Sequence, residues 1–160
     1  MDSNEVSRGR IVVNMAEADL TTLLSTLTVS RRPGRYCIVD IRDIAPDAEP
    51  AAIIHEDEGT TAIVLVNEVL GTEPEFVAAW LTLDVHSDLA AVGLTAAVAT
   101  CLAAEAIACN VLAGRVHDHI LVAERDAPRA IAALNDLALR HSQAERTTDQ
   151  LDRQHPRDIG

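Results

Sequence analysis

The sequence predicts a small mixed α/β fold, and three observations point to it. Apolar residues make up 48% of 160, enough to bury a sizeable core in one compact unit or two small ones sharing a core. Runs with the two-residue period of a strand alternate with runs of helical period. Clusters of turn residues separate them, and the most marked, Gly71-Thr72-Glu73-Pro74, divides the chain in two.

In the first half, Ile11–Val13 is a short candidate strand. Asn14 follows at an N-cap position with Glu17 three residues on. Leu20, Leu23, Leu24 and Leu27 form one apolar stripe on a helix, which Arg31-Arg32-Pro33-Gly34 is expected to end. Tyr36 to Ile41 is a strand by its β-branched content, and Ala45 to Pro50 a loop. Ala51–His55 and Thr60–Val66 make a hairpin turning at Glu56-Asp57-Glu58-Gly59, with a short irregular piece from Asn67 to Leu70.

The second half is more regular. From Ala79 to His86, Leu81, Leu83 and Val85 face one way and Trp80, Thr82, Asp84 and His86 the other, which is a strand. Leu89 to Ala106 reads as a helix with Leu94, Val98, Cys101 and Glu105 in line. Its remaining faces are largely alanine, so burial on more than one side is expected, against the sheet and a second subunit. Ile107–Ala113 and His117–Ala123 are strands joined at Gly114-Arg115. Asp126 is placed to cap a last helix with Pro128 in its first turn and Ile131, Leu134 and Leu137 as its core stripe. From His141 the chain turns polar, and a disordered tail is expected.

The second half is therefore β-α-β-β-α, a ferredoxin-like order of elements, and the first half a looser version of it. The expected division is a flexible N-terminus over residues 1–9, an N-terminal half over 10–76, a C-terminal domain over 77–140 and a tail over 141–160.

Charge and composition exclude several functions. The net charge is −12, and all 13 basic residues are arginines, so neither a phosphate backbone nor an anionic membrane is an expected partner. Between Asp40 and Glu75, ten carboxylates accompany one arginine, Arg42, which reads as a solvated acidic face. Tyr36, Phe76 and Trp80 are the only aromatics, too few for a base-stacking platform. Cys37, Cys101 and Cys109 lack paired spacing and have apolar neighbours, as expected of reduced thiols in the cytoplasm. Met1 to Arg10 has no apolar run and does not read as a signal peptide. The apolar stretch Leu89–Ala113 is broken by Glu105 and Asn110 and does not read as a membrane span.

The run from Leu83 through Asp88-Leu89-Ala90-Ala91-Val92-Gly93 to Val98 resembles small bacterial ACT-domain proteins. The likeness continues through Ala106-Ile107-Ala108-Cys109-Asn110-Val111-Leu112, where the family pattern is Gly-Ile-x-x-Asn-Val, and into His117-Asp118-His119-Ile120-Leu121-Val122. It covers roughly Trp80 to Leu137 and extends to the tandem ACT domains of cytosolic arginine sensors. The resemblance implies a ferredoxin-like βαββαβ fold that binds a small molecule, an amino acid above all, commonly as a homodimer. It implies a ligand site at Gly93 and Leu94 on the strand-to-helix elbow, at Asn110, Val111 and Leu112 on the second strand, and at Asp118. In this picture the ligand carboxylate meets backbone N–H groups near Gly93, and its cationic group meets Asp118. The elbow departs from the common Asp-x-Pro-Gly pattern, and Ala91 stands where the arginine sensors carry an acid.

Each of these residues also has a plainer reading. Gly93 lets a helix start close to the sheet, and Asp118 can be a strand-end carboxylate at the rim. His117 and His119 share a side and, with His86, could hold a metal; a hydrogen-bonded imidazole cluster is the expectation, and no metal or cofactor is assigned. His86-Ser87-Asp88 has catalytic residue types, but strand neighbours point in alternate directions and cannot form a relay. Neither GxGxxG nor GxxxxGK[ST] is present, and no catalytic residues are assigned. The expected function is a non-catalytic, amino-acid-binding regulatory protein; the alternative is a ligand-free dimerisation module.

Overall fold

The computed structural model of the chain describes residues 20–71, 74–85 and 92–154. The expected strand at Ile11–Val13, the Asn14 cap, His86-Ser87-Asp88 and the expected helix start at Leu89 lie outside the described residues. The elements are α1 (Leu20–Ser25), β1 (Val29–Arg31), β2 (Tyr36–Asp40), β3 (Ala52–Glu56), β4 (Gly59–Leu65), β5 (Val77–Leu83), α2 (Leu94–Ala104), β6 (Cys109–Ala113), β7 (Asp118–Ala123) and α3 (Ala127–Gln154). Single 3₁₀ turns follow β2, β4 and β7, at Ile41–Asp43, Val66–Glu68 and Glu124–Asp126.

The seven strands form one antiparallel sheet ordered β3-β4-β2-β5-β7-β6, with β1 also paired to β5. β1 and β2 share one edge of β5. Val29 to Arg31 pair with Leu83 to Leu81, and the Arg32 N–H still donates to the Trp80 carbonyl at 2.9 Å. Residues 33–35 then leave the ladder before Tyr36 pairs with Ala78. Beside β5, β1 takes the position that the last strand holds in a βαββαβ unit. The N-terminal half thus completes the sheet of the C-terminal half, giving the ferredoxin-like fold expected from the element order.

The strand β1 is new. Arg31 to Gly34 was expected to end the first helix, yet that helix stops at Ser25 and Val29–Arg31 pairs. Three residues with one apolar member show no alternation, so only the edge of β5 reveals them as a strand.

One face of the sheet carries the helices. Ala79, Leu81 and Leu83 of β5 and Ile120 and Val122 of β7 pack there against Leu23, Leu24, Leu94, Val98, Leu102 and Leu134. On the same side of the N-terminal half, Cys37, Ala62 and Val64 pack with Val39 of β2 and, among the described residues, under Ile41, Ile44, Val66 and Val69 of the 3₁₀ turns and loops. The opposite face has a smaller core of Tyr36, Ile63, Ala78, Trp80 and Leu121, with Ala51 and Ala52 packed against it.

The described helix α2 begins at Leu94, and Gly93 stands before it with φ +104°. The Gly93 carbonyl accepts the first helical bond, from the Ala97 N–H at 2.9 Å. At the other end Ala106 is left-handed, with φ 55°. The Ile107 N–H reaches the Leu102 carbonyl at 2.9 Å and the Ala106 N–H that of Ala103 at 3.0 Å, a Schellman closure with Leu102 and Ile107 in one core. Within one chain α2 buries a single face; Thr95, Ala96, Thr100, Ala103 and Ala104 are exposed.

The helix α3 corrects the expected tail, because it continues past His141 to Gln154. Low apolar content argued against order there, but α1 lies along α3 and Thr22 bonds Glu145 at 3.4 Å. Bonds one turn apart add to it, Thr147 to the Gln143 carbonyl at 3.0 Å and Arg146 to Ser142.

Candidate functional site

Pairing register builds a polar row on the helix-free face. Ser30 of β1 pairs with Thr82 of β5, Thr82 with His119 of β7, and His119 with Leu112 of β6. Cross-strand partners point to the same side. The Thr82 hydroxyl and the His119 Nδ1 lie 3.1 Å apart and hydrogen-bond. The neighbouring row is Arg32, Trp80, Leu121 and Asn110.

The rows meet in a cluster of tilted rings. Trp80 lies between Tyr36 and His119, with ring centroids 5.4 and 5.3 Å away. The Arg32 guanidinium sits over both indole and phenol, 5.2 and 5.5 Å from their centres. Burial lowers the His119 pKa below its ordinary value, and the nearby His117 and Arg32 charges lower it further. The imidazole is therefore held neutral.

Above these rows lies a cleft of about 710 Å³. Arg32, Trp80, Thr82, Asp84, Leu112 and His119 form one wall, and residues 51–54, at the start of β3, form another. β3 and β6 are the two outermost strands in the sheet order, so the sheet must curl to bring both to one cleft. Arg32 and Asp84 are its free charges. Among the described residues no carboxylate pairs with Arg32 and no cation pairs with Asp84. Arg31, its neighbour, is engaged with Glu124 at 3.6 Å.

The six residues expected to bind ligand are divided by the sheet. Leu112 lines the cleft and Asn110 lies on the same face one row away. Val111 pairs with Ile120, and Asp118 with Ala113, on the helix side. Leu94 belongs to the core at 2% exposure. Gly93 is held by packing: a Cβ there would lie 2.8 Å from Leu20 Cδ2, besides the strain of its positive φ. Sequence reasoning missed Arg32, whose alignment with Trp80 in one row depends on β1. Asp84 was assigned to the outward side of its strand, a signal that could have placed it beside Trp80 and Thr82.

Other chemistry is sparse. Among the described residues no three His, Cys, Asp or Glu side chains are grouped to hold a metal. Burial raises the pKa of all three thiols, and Glu68 adds to this at Cys37, so each is held as the neutral thiol. No described helix is long and apolar enough to cross a membrane.

Comparisons agree with this architecture. The family described as ACT domain matches the chain twice, over residues 15–70 and 75–136. A Vibrio cholerae protein of unknown function, described as a possible transport protein, is 36% identical; the match covers 76% of this chain and 97% of that one, with TM-score 0.67. An aspartokinase structure of alpha and beta subunits shares the fold at 14% identity and TM-score 0.51, covering 69% of this chain and 96% of that one. The aspartate kinase of Clostridium acetobutylicum, described as an allosteric enzyme, gives 8% identity and TM-score 0.53, over 70% of this chain and 34% of that one. No curated protein matches the sequence. With two matched domains, their paired sheet and a relative aligned over nearly its whole length, this chain belongs to the ACT-domain family.

Proposed function

We propose that this protein is a non-catalytic regulatory sensor that binds a free amino acid in the cleft on the helix-free face. One observation carries the reading: a cation and a carboxylate that form no ion pair among the described residues, Arg32 and Asp84, line the same cleft. An α-amino acid presents the complementary pair. Its carboxylate suits the planar donors of Arg32, and its ammonium suits Asp84. ACT domains are typically regulatory ligand-binding modules, which favours the same class of function. The cleft is favoured over Gly93 and Leu94 because Leu20 lies against Gly93 and Leu94 is buried.

The test is a thermal-shift panel of the common amino acids on the full chain, followed by calorimetry on any that respond. At least one should give a saturable stabilisation, and Arg32→Gln and Asp84→Asn should each abolish it. A flat response across the panel sinks the reading.

A dimerisation module is the second reading, favoured by the exposed outer face of α2 with Ala96, Ala103 and Ala104. Light scattering that shows a dimer, together with no ligand response, supports it. The proposed setting for either role is the cytoplasm, where the three neutral thiols stay reduced.

A further inference from the structure

The charges lining the cleft also bear on which amino acid it takes. Besides Arg32 and Asp84, the only other formally charged lining residue is Arg31. Its register partner is Leu81, whose side chain lies in the helix-side core, and its guanidinium pairs with Glu124. The α-carboxylate and α-ammonium of a ligand therefore use up the free charges. Among the described lining residues a cationic side chain would find no second carboxylate. Among the described lining residues an acidic one would find no second unpaired cation, because His119 is hydrogen-bonded to Thr82 and its pKa is lowered by burial. A charge brought into such a site without a partner loses its hydration uncompensated.

The cleft offers apolar surface instead. Ile54 on β3 is 40% exposed, and Leu112 on β6 is half-buried. These two side chains come from the outermost strands and line one cleft only through the curl of the sheet. An exposed isoleucine and a half-buried leucine lining one concave site with two opposite charges, neither of them in an ion pair among the described residues, is the pattern of an orienting pair plus an apolar pocket.

We infer that the cleft selects an amino acid with an uncharged, apolar side chain, held by Arg32 and Asp84 and packed against Ile54 and Leu112. This assignment rests on the amino-acid reading above. Ile54 and Leu112 are then specificity-determining residues, and the two charges are shared by every ligand.

The experiment is calorimetric titration of the full chain with leucine, isoleucine, valine, serine, arginine, lysine, aspartate and glutamate. An apolar amino acid should bind best, with the four charged ones weaker by about tenfold or more, the order of discrimination a single pocket contact supplies. Ile54→Glu, at an exposed edge-strand position, should keep the far-UV circular dichroism spectrum unchanged and shift the preference toward arginine or lysine. If a charged amino acid binds the unaltered protein best, and Arg32→Gln abolishes that binding, the apolar assignment is overturned while the amino-acid reading stands. If Ile54→Glu leaves the ranking unchanged, the pocket has been wrongly placed. If nothing in the set binds, the apolar assignment falls, and the full panel above decides the amino-acid reading.

Discussion

Tyr36 and Ala78 pair with each other across the middle of the sheet, and each also pairs outward with the last residue of a strand that ends in a 3₁₀ turn. Tyr36 pairs with Leu65 before the turn Val66–Glu68, and Ala78 with Ala123 before the turn Glu124–Asp126. An approximate twofold axis between Tyr36 and Ala78 therefore relates β2, β3 and β4 to β5, β6 and β7. The halves differ in what joins these strands: a long helix, α2, between β5 and β6, but only a 3₁₀ turn and a loop between β2 and β3. Duplication, suggested in the sequence by element order alone, is visible here as matched pairing.

A fragment beginning at residue 75 should not fold as the C-terminal domain does in the full chain. It lacks β1 and β2, which occupy one whole edge of β5, and it lacks α1, which packs on α3. The bared edge of β5 carries Ala79, Trp80 and Leu81, an apolar strand open to pairing between copies. Size-exclusion chromatography should show aggregates, and Trp80 fluorescence no cooperative urea transition. A monomeric fragment with a sharp transition would contradict the shared-sheet account.

Ala106→Gly should stabilise the protein. Ala106 closes α2 in the left-handed region at φ 55°, where a Cβ costs about 1–2 kcal/mol and glycine costs nothing sterically. Glycine's larger unfolded-state entropy takes back part of that, leaving a gain of about 0.5–1 kcal/mol. The residue is exposed, so no contact is lost. Urea denaturation measures the gain; an unchanged or lower midpoint would show that the turn is not strained.

Gly114→Ala should do the opposite. A Cβ at Gly114 would stand 2.5 Å from the His117 carbonyl oxygen, and 3.2 Å from the His119 ring at Nε2. Backbone must move to admit it, at a cost of about 1–3 kcal/mol. The same shift should disturb the Thr82–His119 contact, so the His119 ring signals in an NMR spectrum should move as well.

Removing apolar side chains tests which core matters. Leu81 is fully buried between the sheet and the helices, and Leu81→Ala should cost about 2–5 kcal/mol. Leu139 on α3 is 55% exposed, and its alanine variant should change stability by no more than about 0.5 kcal/mol. Comparable losses at the two positions would contradict the assigned faces of α3.

Stability should fall on mild acidification partly through His119. Its folded pKa lies below the ordinary 6.5, mainly through burial, so the unfolded chain takes up the proton first as pH drops. Its contribution is fully present above about pH 6.5 and is lost as pH falls below that value toward the folded pKa. Urea midpoints between pH 7.5 and 5 should drop further in the native protein than in His119→Gln. Parallel curves would show that His119 is not titrating with folding.

The sequence by itself determined most of the elements. Alternation at Leu81, Leu83 and Val85, the leucine stripe of α1, the hairpin turn before Gly59 and the helix after Asp126 are all local patterns, set by which side chains must avoid water. It also carried the family, through the run from Leu83 to Val122. Tertiary structure alone decided the rest. β1 exists because β5 offers an edge, and α3 runs past His141 because α1 lies along it. The cleft forms only when the curl of the sheet brings Ile54 and Leu112, from opposite ends of the strand order, to the face of β5 that holds Trp80 and Asp84 beside Arg32. Periodicity reports which face of one element is buried; it is silent on which distant element comes to share that face, and a site with two free charges is made by that sharing.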